Sequence, residues 1–298
     1  MRLTIALCFV GMAWGQTRQV AITFDDLPRG GDQSGVRKLN DAKAMTAKLM
    51  AALKGIHVAA FVNPKQGREF GEDGLAELLD MWRRQGAELG NHTFSHPDLN
   101  AMPLAEYEAD ILLAEPAIRR ARGGRQSRYF RHPFLHVGKD EETKQGLAQF
   151  LAEQGYIVAP VTVDNSDWMF ARLYTTSKDP KRVREDYVRY LDEVFAFFEK
   201  KSVEVVGREF PQVLLLHANQ LNADAMAEVL AMLRRRGYRF VTLEEVLQDE
   251  AYRMKDGYVG TNGISWLHRW GVGLGMALKF EPDEPKWVLE EFRRKQGN

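Results

Sequence analysis

The chain has 298 residues, 45% of them hydrophobic, which is enough to bury one large core or two small ones. Lys+Arg and Asp+Glu number 41 each, so the formal net charge is +0 at pH 7. This balance, without a basic run, argues against nucleic acid as the main partner and gives no reason to expect binding to an anionic membrane surface.

The N-terminal stretch MRLTIALCFVGMAWGQ has the pattern of a secretory signal peptide. Arg2 forms a short positive region, residues 3–14 are mostly apolar, and small residues precede Gln16. The apolar run is shorter than the roughly 20 residues that a membrane span needs. We therefore expect a signal peptide over residues 1–15, which would carry away Cys8, the single cysteine. A mature chain without a transmembrane segment would be exported to the periplasm or beyond.

Beyond this segment, short apolar runs alternate with longer amphipathic runs. Runs rich in β-branched or aromatic residues predict strands, and apolar residues at three- and four-residue spacing predict helices. The predicted strands are Val20–Phe24, Val58–Val62, Ala87–Gly90, Tyr129–Arg131, Ile157–Val163, Val213–Leu216 and Arg239–Val241. The predicted helices are Leu39–Lys54, Gly74–Gln85, Leu104–Arg120, Glu141–Gln154, Val183–Lys200 and Ala223–Arg236.

This alternation predicts the fold class. Strands that alternate with helices imply a parallel sheet with crossover helices, an α/β fold. Seven strands in one run favour a single barrel over residues 16–249, and an open doubly wound sheet is the alternative. Residues 250–298 depart from the alternation and are rich in Gly and Trp. We expect them to form a C-terminal extension packed on the barrel.

The unusual polar side chains follow the predicted strands. In a parallel barrel the C-terminal ends of the strands meet at one rim, where the chemistry occurs. These side chains, though far apart in sequence, are therefore expected to share one site. They are Asp25 and Asp26 after the first strand, His92 and His96 after the third, Arg131 at the end of the fourth, Asp164, Asp167 and Trp168 after the fifth, and His217 after the sixth.

The segment NHTFSH places His92 and His96 four residues apart, which predicts that they lie on one side of a helical turn. Two imidazoles and one carboxylate can bind a divalent ion and leave positions open for water and substrate. The spacing alone also fits an incidental pair, with Thr93 and Ser95 capping the turn. An aspartate at the same rim favours the metal site.

The adjacent carboxylates of Asp25 and Asp26 repel each other, which suggests separate tasks. One can bind the metal, while the other stays free to take a proton from the activated water. Alternatively, the pair only ends the strand and caps the turn into Leu27-Pro28. That explanation accounts for one aspartate more easily than for two.

Other groups at this rim have candidate tasks. Arg131 can pair with a carboxylate, or it is a surface arginine. Pro133 fixes a turn that can present the following amides to an oxyanion. His217 can act as a general acid with Asp167 as its partner, or it is a polar strand end. Trp168 can stack on a sugar ring or pack in the interior.

The remaining histidines differ in what their positions predict. His132 and His136 are expected to be supporting or surface groups rather than metal ligands. His57 precedes the second strand, on the opposite face, and is expected to be structural. The sequence gives no location for His268.

The segments TFDD, HTFSH, RHPFL, DNSDW and LLLH resemble, in this order, the five motifs of the polysaccharide deacetylase family. This is the carbohydrate esterase group that shares the NodB homology domain. The resemblance extends roughly from Val20 to Leu247, most of the mature chain. It implies a distorted (β/α)7 barrel, which agrees with the seven predicted strands.

The resemblance also implies roles for individual residues. It implies a divalent metal, most often Zn²⁺, with Co²⁺, Ni²⁺ or Mn²⁺ as alternatives. The implied roles are Asp25 as catalytic base, Asp26, His92 and His96 as metal ligands, Arg131 orienting Asp25, His217 as general acid tuned by Asp167, an amide near Leu135 at the oxyanion, and Pro133 and Trp168 in the wall of the substrate site.

The implied activity is metal-dependent hydrolysis of acetyl groups from an N-acetylated or O-acetylated poly- or oligosaccharide. Two alternatives remain open at this point. The same barrel can act on a small non-sugar amide, although the signal peptide argues against metabolism in the cytosol. A barrel that binds carbohydrate without catalysis would have lost a ligand or a proton-transfer residue, and no such loss is evident in the sequence.

Overall fold

The computed structural model describes residues 18–30 and 35–296, so the expected signal peptide over residues 1–15 lies outside the described residues. The strands within them are β1 (Arg18–Leu27), β2 (Ala59–Val62), β3 (Glu88–Asn91), β4 (Tyr129–Phe130), β5 (Ile157–Val158), β6 (Gln212–His217) and β7 (Tyr238–Phe240). The α-helices are α1 (Leu39–Ala52), α2 (Gly71–Arg84), α3 (Leu104–Ala121), α4 (Glu141–Glu153), α5 (Asp167–Tyr174), α6 (Pro180–Val206), α7 (Gln220–Arg235), α8 (Leu243–Val246), α9 (Trp266–Gly273) and α10 (Lys286–Gln296).

The strands form one parallel sheet in the order β5-β4-β3-β2-β1-β6, and β7 pairs with the start of β1. A bridge between Val163 and Leu214 brings the segment after β5 against β6. The sheet therefore curls into a half-barrel ringed by helices. This confirms the predicted α/β fold, a distorted barrel of parallel strands, and the open doubly wound alternative is wrong.

Alternation along β1 separates two layers of core. Val20, Ile22 and Phe24 face the outer helices, and the Phe24 ring lies 5.1 Å from that of Trp82 in α2. Ala21 instead packs in a cluster inside the curled sheet, together with side chains of β2 and β6. Because successive side chains of a strand point to opposite faces, Thr23 and Asp25 continue the inner row of β1. The strand thus delivers a carboxylate to the interior at its C-terminal end.

Element boundaries differ from the prediction where turns and caps override the apolar pattern. The fifth strand ends at Val158 rather than Val163, because Pro160 cannot donate a ladder hydrogen bond. The long helix α6 starts at Pro180, where the Asp179 side chain accepts from the Arg182 amide, and ends at Val206, followed by the cap residue Gly207 with φ 79°. The sequence did not predict α5, which begins among the polar residues after β5.

Residues 250–296 pack against the rest of the chain through α9 and α10. In α9, the Trp270 side chain is buried, and its ring lies 5.8 Å from Phe210 and 5.5 Å from Tyr252. His268, which the sequence did not locate, is buried in the same helix, and its Nε2 lies 2.7 Å from the carbonyl oxygen of Lys279. No helix in the described ranges is long and apolar enough to cross a membrane.

We predict that Trp270→Ala lowers the free energy of unfolding of the whole chain by about 3–5 kcal/mol, because it leaves a cavity among aromatic side chains. Chemical denaturation followed by circular dichroism measures this change. Leu274→Ala, at a position that is 58% exposed just after the same helix, is the control and should cost less than about 0.5 kcal/mol. Equal, small effects of both variants would show that α9 is not part of the cooperative core.

Candidate active site

The two aspartates lie within the last residues of β1, which continues to Leu27 and so extends beyond the predicted strand end at Phe24. The register with β2 shifts between Phe24 and Leu27, which marks a bulge at these residues. Asp26 has a positive φ of 61°, and Asp25 lies opposite His217 in the pairing with β6. A bulge re-aims side chains, so both carboxylates reach the same rim although they are neighbours in the strand.

Two histidines face the second aspartate. The Nε2 atoms of His92 and His96 each lie 3.5 Å from Oδ1 of Asp26. The potential ligand atoms of Asp26, His92 and His96 all lie within 4.8 Å of one another. Oδ1 of Asp26 is buried and has no hydrogen-bond partner among the residues that the structure describes. An unpartnered buried carboxylate oxygen between two imidazoles fits a divalent cation.

The backbone around these histidines is not helical, so the predicted helical turn is wrong. Thr93 and His96 have positive φ values of 66° and 56°. The carboxylate of Asp110 in α3 accepts hydrogen bonds from the amides of Phe94 and Ser95, at 2.8 Å each. Hydrogen bonds to a helix that is distant in sequence thus hold an irregular turn, which the local spacing of the histidines did not predict. The Thr93 hydroxyl accepts from the amide of His96 at 3.1 Å, as the capping alternative expected.

The ring of His92 is oriented for metal binding. Its Nδ1 lies 2.7 Å from the carbonyl oxygen of Arg131 and donates to it, which leaves the lone pair on Nε2 directed at Asp26. Burial lowers the pKa of His92 well below its usual range, which favours the neutral imidazole that a metal ligand requires. The Asp26, His92 and His96 side chains therefore fit a divalent ion.

Backbone strain is concentrated at this rim. In the described part of the chain, all non-glycine residues with positive φ belong to this site. Such conformations are costly and collect at functional sites, where the surrounding structure enforces them. These residues are Asp26, Thr93, His96, Phe134 and Leu135.

Arg131 holds the first aspartate from inside the sheet. Its Nη1 lies 3.1 Å from both carboxylate oxygens of Asp25, and neither side chain is more than 2% exposed. The Arg131 guanidinium also donates to the carbonyl of Ala159 at 2.7 Å and to the hydroxyl of Thr23 at 3.1 Å. Burial raises the pKa of Asp25 above its ordinary value, while the positive charge of Arg131 acts in the opposite direction. The possibility that Arg131 is a surface arginine is therefore excluded.

His217 and Asp167 form a second ion pair, in which the Asp167 side chain is fully buried and that of His217 is 18% exposed. Nδ1 of His217 lies 2.6 Å from Oδ1 of Asp167, and the His217 amide donates to Oδ2 at 2.8 Å. The Asn222 side chain also donates to Oδ2, at 2.5 Å. Burial lowers the pKa of His217, but the Asp167 carboxylate outweighs it and raises the pKa to about 10. This raised pKa favours the protonated imidazolium form of His217.

The two aspartates, His92, His96 and His217 line one cavity of about 510 Å³. Arg131 and Asp167 do not line it and act on it through Asp25 and His217. Leu135 and Trp168 also line it, and the Trp168 side chain is 40% exposed. Pro133 is buried in a 3₁₀ turn below the cavity wall. The amide of Leu135 already donates to the carbonyl of His132 at 3.1 Å, so the expected oxyanion contact would have to share that donor.

The other histidines occupy distinct places. His132 and His136 line the cavity without joining the metal-type cluster, and His136 pairs with Asp98 at 2.7 Å. His57 lies in a separate cavity with Glu88 and Glu244, away from the site.

Sequence reasoning assigned no role to several residues of the cavity wall. Gly263 and Glu281 come from the C-terminal extension, where no periodic pattern marked them. Gly263 lies so close to the turn after β4 that a Cβ atom there would sit 1.7 Å from the carbonyl oxygen of Phe134. Asp164 had been noted only by its position. Burial and the nearby Glu281 raise its pKa to about 7.

Comparisons with known proteins show which chains this one is similar to. Residues 15–156 match the sequence profile of the polysaccharide deacetylase family. A peptidoglycan-N-acetylglucosamine deacetylase of Bacillus cereus is 26% identical over 242 residues, covering 79% of this chain and 70% of the relative. The chitin deacetylase structure from Colletotrichum lindemuthianum superposes with a TM-score of 0.55 at 24% identity, covering 78% of this chain and 88% of that one.

A second similar structure, from Bacillus anthracis, is described as a pseudoenzyme of the same esterase family. Its TM-score is 0.52 at 15% identity, and the match covers 78% of this chain and 66% of that one. A shared fold therefore does not by itself establish activity, and the residues of the site have to carry that argument.

We predict that Asp167→Asn lowers the pKa of His217 from about 10 to well below that value, because burial then acts without the opposing carboxylate. The raised pKa means that the pair stabilises the fold fully below pH about 6.5 and loses this contribution as pH rises through about 10. Histidine NMR titration of chelator-treated protein measures the pKa, and chemical denaturation below pH about 6.5 and near pH about 10 measures the contribution to stability. His268, whose pKa burial lowers to about 4, is the internal reference. A wild-type His217 that titrates near pH 6.5 would contradict this assignment.

Proposed function

Because the chain belongs to the polysaccharide deacetylase family, we propose that it is a metal-dependent hydrolase that removes acetyl groups from an N-acetylated or O-acetylated poly- or oligosaccharide. One observation carries the proposal, namely the different surroundings of two adjacent carboxylates. Asp25 faces a buried guanidinium, whereas Asp26 faces two imidazoles. Asp25 is therefore suited to proton transfer and Asp26 to metal binding.

Asp26, His92 and His96 would hold the ion in this proposal. Nitrogen and carboxylate donors in a set of three suit Zn²⁺, with Co²⁺, Ni²⁺ or Mn²⁺ as alternatives. When bound, a divalent ion supplies the positive charge that activates water and stabilises the oxyanion of the acetyl carbonyl. The unpartnered Oδ1 of Asp26 supports this ligand role.

Asp25 acts as the general base and accepts a proton from the attacking water. A carboxylate is a better base when its pKa lies closer to the working pH, and burial shifts Asp25 in that direction. Arg131 fixes both oxygens of the carboxylate, so the base is positioned before substrate arrives. Leu135 and Trp168 would form the acetyl and sugar walls of the cavity, and Pro133 would support the turn beneath them.

His217 acts as the general acid. Its Nδ1 is engaged by Asp167, so Nε2 carries the proton that is free for the leaving group. The imidazolium donates this proton to the departing amine, or to the alcohol of an ester, as the bond to the acetyl carbon breaks. Acetate and the deacetylated sugar are the products, and the proton taken by Asp25 restores His217 through solvent.

Two further proposals concern the setting of the reaction. The signal-peptide pattern over residues 1–15 supports export to the periplasm or the exterior, where peptidoglycan and chitin-like polymers are found. The names of the relatives refer to peptidoglycan and chitin, which supports an acetylated carbohydrate as the substrate. Detection of the mature chain, beginning near Gln16, in a periplasmic or culture fraction would test export.

We predict different outcomes for the two aspartates. Asp25→Asn should retain the metal and lower kcat at least about 10²-fold, because it removes only the base. Asp26→Asn should lose the metal together with activity. Metal analysis after chelation and zinc replenishment, with acetate release from chitooligosaccharides, peptidoglycan fragments and acetylated xylan, measures both effects. Loss of metal in Asp25→Asn with metal retained in Asp26→Asn would reverse the assignment, and a wild-type protein that binds no divalent ion would refute the metal site.

We predict that His217→Ala lowers kcat about 10²–10⁴-fold while metal content stays unchanged, because it removes the general acid. The loss should be smaller on an aryl acetate, whose leaving group needs less protonation than an amine. Steady-state kinetics on both substrates provides the measurement. Equal losses on the two would argue that His217 supports the structure rather than protonates the leaving group.

A further inference from the structure

The side chain of His132 is buried at the cavity without a partner. It is 2% exposed and lines the cavity, and it makes no hydrogen bond to any residue that the structure describes. Of its two ring nitrogens, only Nδ1 is sealed from solvent, so Nε2 is the nitrogen that a bound molecule can reach. Buried polar groups are nearly always satisfied. Nδ1 stays unpartnered inside the wall, whereas Nε2 has no partner among the described residues and is the nitrogen that a ligand in the cavity can satisfy.

The ring of His132 is held in one orientation by aromatic neighbours. Its centroid lies 5.0 Å from the ring of Phe130, edge to face, and 6.2 Å from that of Trp266, nearly parallel. The guanidinium of Arg269 lies 5.2 Å from the Trp266 ring centroid on the C-terminal extension. A ring that is fixed in this way can form a directional hydrogen bond without losing further side-chain freedom.

His132 offers a neutral donor rather than a charge. Burial, together with the positive charges of Arg269 and Arg131, lowers its pKa to about 3. The ring is thus uncharged at neutral pH, and the unpartnered Nδ1 is better placed as the unprotonated nitrogen, with the proton on Nε2. A neutral N–H donor suits a neutral oxygen of a ligand, such as a hydroxyl.

Acceptors with spare capacity line the same cavity. Glu281 lines the cavity with 25% of its side chain exposed. Its Oε2 is sealed from solvent 3.9 Å from Nε2 of His268, which leaves Oε1 as the oxygen open to the cavity. Asp164 accepts one hydrogen bond, from the amide of Asn165 at 2.8 Å, and makes no ion pair with the residues described. A hydroxyl both donates and accepts, so a group of hydroxyls satisfies a neutral donor and these carboxyl oxygens together.

We propose that His132, Glu281 and Asp164 form a subsite that binds hydroxyl groups of the sugar ring beside the metal site. The C-terminal extension supplies Glu281 and the Trp266 ring behind His132. This segment thereby determines which sugar reaches the catalytic groups. The inference rests on the proposed function and deepens it, because it names the substrate groups that the extension recognises.

The test uses His132→Phe, which keeps a stacking ring and removes both nitrogens. In an Asp25→Asn background, which slows turnover at least about 10²-fold, calorimetry should show binding of N-acetylglucosamine oligomers weakened about tenfold or more by His132→Phe. Glu281→Gln should weaken binding in the same direction. Glu284→Gln, three residues away and outside the cavity lining, is the matched control and should leave binding unchanged.

Kinetics separates binding from structure. With the intact catalytic residues, His132→Phe should lower kcat/KM at least about tenfold more on an oligosaccharide than on an aryl acetate, which carries no hydroxyls. Equal losses on both substrates, or unchanged oligomer binding in both variants, would overturn the subsite. Weakened binding in a protein that hydrolyses neither substrate would support the subsite and refute the proposed hydrolase.

Glucosamine oligomers distinguish the hydroxyl assignment from a cation site. The proposed subsite should bind them no more tightly than the N-acetylated oligomers. Tighter binding of the amine form that disappears in Glu281→Gln would show that the carboxylates bind an ammonium group, and it would overturn the hydroxyl assignment.

Discussion

The buried ion pair between Arg131 and Asp25 is the interaction on which the rest of this site depends. A guanidinium inside a parallel sheet is costly unless its charge is paired and its donors are used. Here the donors reach β1 through Thr23 and Asp25, and the segment after β5 through Ala159. The carbonyl of Arg131 in turn orients His92. One residue thus ties the base, a candidate metal ligand and three strands together.

The arrangement also explains how two neighbouring carboxylates come to have different surroundings. In a regular strand Asp25 and Asp26 would point to opposite faces. The bulge and the positive φ of Asp26 instead leave Asp25 on the inner row while turning Asp26 to the rim. Their environments then diverge, and the repulsion between them is offset by Arg131 on one side and the imidazole cluster on the other. Strain in the backbone is what makes the pair asymmetric.

The opposite wall of the cavity has a different origin. It is built by the C-terminal extension, which contacts the turn after β4 through Gly263 and contributes Glu281. The catalytic groups therefore come from the ends of the strands, whereas part of the cavity's shape comes from a segment outside the strand–helix alternation. A fold can keep the same catalytic residues while such a segment changes which substrates the cavity admits.

The sequence by itself determined the α/β class and the set of residues at the strand ends, because strand–helix alternation and the common rim of parallel strands are local patterns with a global consequence. Asp25, His92 and His217 could be placed at one rim on that basis alone. Only the tertiary structure decided the irregular turn that joins His92 and His96, because Asp110 of a distant helix holds it. It also decided that the His132 side chain has no partner among the described residues and that Glu281 lines the cavity. Contacts between segments that are remote in sequence produce no periodic pattern in the chain.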